Sequence, residues 1–103
     1  MNPFMSESMG RIDQMRKRMS TELEAAMDFK LPQQYCEAMV VGYMMMGSMG
    51  SSSPHVTSGV MFILNAFQKQ LGVSDAVDNA AHAFTQRALI KELELMMLKK
   101  QDG

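Results

Sequence analysis

Met44, Met45, Met46 and Met49 crowd one short stretch, with Cys36 before them and His55 after. Thioether and thiolate sulfur select Cu(I), so this is the densest set of candidate metal ligands in the chain. The methionines stand in an apolar run, however, where flexible, polarizable Met fills a core. A Cu(I)-type soft-metal protein therefore ranks behind packing. Gly47, Gly50 and the serines at 51 to 53 lack the Gly-Lys-[Ser/Thr] ending with which a P-loop grips phosphate, and read as a linker. Cys36 lies near the start of an apolar helix, where a thiol acts as a small buried hydrophobe. His55 and His82 have no partner visible in the sequence, and Glu92 and Glu94 with Lys91 read as a solvated strip. With no evident nucleophile–base pair and no paired carboxylates, the chain reads as a non-enzyme without a cofactor.

Leu71-Gly72-Val73-Ser74 resembles the turn of helix-turn-helix proteins, and the resemblance implies a following recognition helix in the major groove. That following helix carries Asp75 and Asp78, with no Lys or Arg before Arg87. Its leading end would repel phosphate. A small oligomeric transcriptional or replication regulator that binds nucleic acid is kept as the alternative function.

The elements that must position these residues are helices. Ile12, Met15, Met19, Leu23, Ala26 and Met27 recur at helical spacing, with Arg11, Lys17, Arg18 and Glu24 opposite. Met5 and Met9 extend the stripe backwards past Gly10, which disfavours helix by about 1 kcal/mol relative to Ala. Arg16 falls inside the seam and must snorkel or find an acid. Pro32 pushes Leu31 out of the helical region and then suits the first turn of a second helix. That helix, about 33–46, is apolar nearly all round, and Ala38 with Gly42 would let a neighbouring backbone come close.

Residues 47–53 read as a loop, and Ser53 before Pro54 is a start signal for a third helix with Val56, Val60, Ile63, Leu64, Phe67 and Leu71 at spacings of three and four. Gly72 stops it and Ser74 caps a fourth. In that fourth helix Val77, Ala81, Phe84 and Ala88 share one face, and Leu95 and Leu98 return to it. Leu89, Leu93, Met96 and Met97 lie well round from it, at about 100° per residue. One small bundle buries one such face, so the other calls for a second copy or a partner.

The reading is all-α: a small four-helix bundle-like domain, oligomeric, with long outer helices at about 11–28 and 75–99 and a short apolar central hairpin. Residues 1–10 form a flexible lead-in, 11–100 the single helical domain, and 101–103 a flexible tail. A length of 103 residues suits one domain. The net charge of −1 gives no field toward nucleic acid or anionic lipid. No apolar run approaches the ~20 residues of a membrane span, and His55, Asn65, Gln68 and Lys69 would make insertion of the hairpin expensive. With one cysteine and no visible secretory signal, the expected compartment is the cytoplasm. Methionine, at 14 residues, is over-used, as on surfaces that accept varied partners. The expected function is a non-enzymatic protein-binding module, such as an adaptor, secretion-type chaperone or regulator, which self-associates and holds a partner's amphipathic helix. The expected interface is Met15, Met19 and Leu23 of the first helix with Leu89, Leu93, Met96 and Met97 of the fourth.

Overall fold

The computed structural model describes the backbone of residues 3–48 and 53–102; the side chains of residues 3–9, of Ser48, Leu93 and Met96 and of residues 99–102 fall outside the description. The chain forms four helices: α1 Pro3–Met27, α2 Gln33–Ser48, α3 Pro54–Gln70 and α4 Asp75–Asp102. No strand occurs among the described residues.

The helix boundaries follow local chemistry. α1 ends where Asp28 turns into the left-handed region (φ 51), and the Glu24 carboxylate accepts from the Leu31 amide at 2.9 Å, fixing the path into α2. The Pro32 carbonyl receives the Cys36 amide at 3.2 Å, so α2 winds directly out of the proline. Ser53 caps α3 through the Val56 amide, and Ser74 caps α4 through the Val77 amide. Gly72, at φ 70, makes the turn between them that a side chain would strain. Gln68 locks this turn from inside, donating to the Val73 carbonyl at 3.1 Å and to Asp75 at 2.7 Å.

Both outer helices outrun their expected limits. α1 begins at Pro3, so the lead-in expected over residues 1–10 is helical from Pro3 onward, and α4 continues to Asp102, beyond the expected tail boundary. Pro3 suits a first helical position, and the penalty of about 1 kcal/mol at Gly10 is small against a helix whose later turns are packed. α2 likewise runs through Ser48, which shortens the expected linker; Met49 to Ser52 lie outside the described residues.

α2 is the hub and packs against α1, α3 and α4, while α1 also packs against α4. Tyr35, Cys36, Met39 and Val40 of α2 are buried, and the core is completed by Met15, Met19 and Leu23 of α1, Val60 and Leu64 of α3, and Val77, Ala81, Phe84 and Ala88 of α4. A Cβ placed on Gly42 would meet Val60 Cγ1 at 3.0 Å and both Leu64 methyls at 3.4 Å, so glycine sets how closely α2 and α3 approach. Gly42 lies six residues before the end of α2 (48 − 42) and Val60 six after the start of α3 (60 − 54), which makes the pair an antiparallel hairpin. The core side of α4 ends at Ala88. Leu95 and Leu98, on the same face two and three turns later, are exposed.

Candidate functional site

α2 is not buried all round, and its exception is the candidate site. Gln34, Glu37, Val41 and Met45 follow one another at spacings of three and four and face outward. Beside them, on α3, stand Ile63, Phe67 and Gln70, and the two rows enclose a groove of about 660 Å³ floored by Ala38, Gly42, Val60 and Leu64. The close approach set by Gly42 keeps this floor shallow and closed below. α3 has Lys69 as its sole charged side chain. Its outer surface carries Met61, Phe62 at 75% exposure and Ile63 at 53%. Apolar surface of this extent, almost free of charge, has the composition of an interface core.

The charged end of the groove lies toward α1. Ile12, Asp13 and Arg16 of α1 and Glu37 and Val41 of α2 enclose an adjoining hollow of about 380 Å³. Arg16, whose place in the α1 seam demanded an acid, finds Asp13 at hydrogen-bonding distance and stands 3.8 Å from Glu37. This pairing, together with Lys17 at 3.1 Å, holds the Asp13 carboxyl below the usual carboxylate range and the Arg16 guanidinium above its ordinary value. Glu37 also accepts from the Gln33 amide nitrogen at 3.0 Å. A carboxylate offers about four lone-pair sites, so these contacts leave Glu37, half exposed at 47%, with capacity for a further donor.

Behind α2 runs a chain of polar side chains. Tyr35 donates its hydroxyl to Asp78 at 2.6 Å, Asp78 pairs with His82 Nε2 at 3.3 Å, and His82 Nδ1 meets the Tyr43 hydroxyl at 2.6 Å. The Tyr43 and His82 rings also meet edge to face. An Asp–His–Tyr order is the geometry of a relay, but the Tyr43 hydroxyl is pushed up by desolvation and the Tyr35 hydroxyl is pushed up further, by burial and by Asp78. Neither is made easier to deprotonate, and the chain of bonds serves to pin α2 to α4 in register. Burial likewise pushes the Cys36 thiol up to about 11, the reverse of nucleophile activation.

The residues expected to form an interface divide sharply. Met15, Met19 and Leu23 are buried inside a single chain, so these three residues of the α1 seam belong to the core, while Met27 at its end is exposed. Leu89 is partly buried against that core. Met97 is 64% exposed and is flanked by exposed Ile90, Leu95 and Leu98; the side chains of Leu93 and Met96 lie outside the described residues. Sequence periodicity missed the groove because Val41, Met45 and Ile63 belong to apolar runs that look fully buried until helix packing is known. The missing charge along α3 was the signal that could have found it. Among the described residues no cluster of three or more His, Cys, Asp and Glu side chains could hold a metal; Met49 of the methionine cluster lies outside them. No described helix is long and apolar enough to cross a membrane.

No family model, curated protein or solved structure matches the chain. The functional reading therefore rests on the geometry alone.

Proposed function

We propose that the chain is a non-enzymatic protein-binding module, of the adaptor, chaperone or regulator kind, and that it holds an amphipathic helix in the α2/α3 groove. The groove carries this reading: two antiparallel helices kept close by Gly42 leave a trough walled by Val41, Met45, Ile63 and Phe67. An amphipathic helix docks in such a trough through anchors at i, i+3 or i+4, and i+7. Met45 on one wall adapts its shape to different anchors. Cytoplasmic residence is part of the proposal and is supported by the single thiol, which suits a reducing compartment.

The test is fluorescence anisotropy with a labelled amphipathic peptide of about 16 residues, bearing leucine anchors at helical spacing and one lysine a turn before them. Binding should saturate, and Val41→Glu or Ile63→Glu should weaken it about tenfold or more, because each places a charge in a desolvated site. Arg18→Ala, at an exposed position on α1, should leave it unchanged. Binding that is absent, or that ignores both groove variants, would overturn the reading.

A further inference from the structure

The chain holds 14 methionines and one cysteine, so its sulfur is mostly thioether, and burial decides which sulfurs an oxidant reaches. We infer that Met45 is an oxidation site, and that its conversion to the sulfoxide by a hydroperoxide closes the α2/α3 groove to an apolar partner. This rests on the helix-binding reading of the groove and adds its regulation.

Three observations single out Met45. The one thiol does not compete for the oxidant, because peroxide reacts with thiolate, and Cys36 is buried with its thiol pushed up to about 11. The core methionines Met15, Met19 and Met39 are shielded by burial. Met27, Met45, Met61 and Met97 are exposed, and of these four only Met45 lines the groove. Oxidation can therefore change the groove while core packing stays intact.

The step balances with one molecule of hydrogen peroxide. The Met45 sulfur attacks one peroxide oxygen with a lone pair and the O–O bond breaks. The other oxygen takes up the proton of the transferred one and leaves as water, so sulfur is oxidised by two electrons and peroxide is reduced by two. The product sets a polar S–O group on a groove wall shared with Val41 and faced by Ile63. The polar lining residues stand toward the other end: Glu37 lies eight residues before Met45 (45 − 37), about 12 Å by the helical rise, and Gln34 lies further back. An apolar anchor laid over the oxidised side chain would strip water from the new oxygen and bring it no donor, which weakens binding. Methionine sulfoxide reductase restores the thioether, a dithiol being oxidised to its disulfide while the oxygen leaves as water.

The experiment treats the full chain with graded hydrogen peroxide, removes the excess with catalase and maps each sulfoxide by peptide mass spectrometry. On the same samples, binding of the amphipathic peptide is read by fluorescence anisotropy and helicity by circular dichroism. Met27, Met45, Met61 and Met97 should gain oxygen before Met15, Met19 and Met39, with helicity kept. Peptide affinity should fall about tenfold as Met45 is oxidised, and the reductase with dithiothreitol should restore it. Two variants assign the effect. A chain carrying Met27→Leu, Met61→Leu and Met97→Leu should still lose affinity on oxidation, whereas Met45→Leu should keep its own affinity through the same dose. The inference is overturned if Met45 stays reduced while Met15 or Met39 is oxidised, or if Met45→Leu loses affinity as the wild type does. A chain that binds the peptide equally well with Met45 oxidised removes the switch and leaves the helix-binding groove standing. A chain that fails to bind the peptide even with Met45 reduced removes both.

Discussion

Cys36 shows how position decides chemistry at the scale of one side chain. It is a lone thiol 1% exposed in the first turn of α2, and burial pushes it up to about 11. In the unfolded chain a thiol ionises near 8.5, so above that pH the unfolded state binds fewer protons than the folded one and stability declines as pH rises. Tyr35, also pushed up by burial and by Asp78, acts in the same direction. Chemical denaturation should therefore give a falling midpoint from about pH 8.5 to 11, with no matching loss between pH 6 and 8 from these two groups. In the same range alkylation of Cys36 should proceed only as fast as the chain opens. The glycines make a second test. Gly59→Ala, with nothing within 4 Å of the new Cβ, should stabilise by up to about 1 kcal/mol through helix propensity. Gly42→Ala gains the same propensity but presses on buried, stiff Val60 at 3.0 Å, and overpacking of about 1–3 kcal/mol should make the net change a loss. Opposite signs for two Gly→Ala changes, read by urea denaturation, check that the α2/α3 approach is as tight as described.

At the scale of the helices, the cap residues and the core faces were legible. Ser53 and Ser74 cap, Gly72 stops α3, and Val77, Ala81, Phe84 and Ala88 bury their shared face, because caps and single-face periodicity are local properties. What the sequence hid depends on which helix reaches how far. The α1 seam of Met15, Met19 and Leu23 has the same pattern whether it faces a core or a partner, and only packing against α2 and α4 assigns it to the core. The Tyr35–Asp78–His82–Tyr43 chain joins residues some forty positions apart, beyond any motif. Asp78→Ala removes the partner of both the buried Tyr35 hydroxyl and His82, and should lower stability by about 2–3 kcal/mol in thermal or urea unfolding. Tyr43→Phe, at the more exposed end, should lower it by about 1 kcal/mol.

At the scale of the whole molecule, α4 sets the shape and leaves the question of partners. Its 28 residues span about 42 Å at 1.5 Å each, close to the longest extent of the molecule at 44 Å. Its C-terminal half leaves Ile90, Leu95, Met97 and Leu98 exposed. Apolar surface thus stands open in two places among the described residues, on the C-terminal half of α4 and in the groove. Methionine-methyl NMR on the full chain reads core and groove at once, since Met19 and Met39 are fully buried while Met45 lines the groove. Titration with the amphipathic peptide should shift the Met45 methyl progressively to saturation and leave Met19 and Met39 in place. A Met45 signal that stays fixed while the peptide binds, or a response centred on the α1 methionines, would contradict the helix-binding groove.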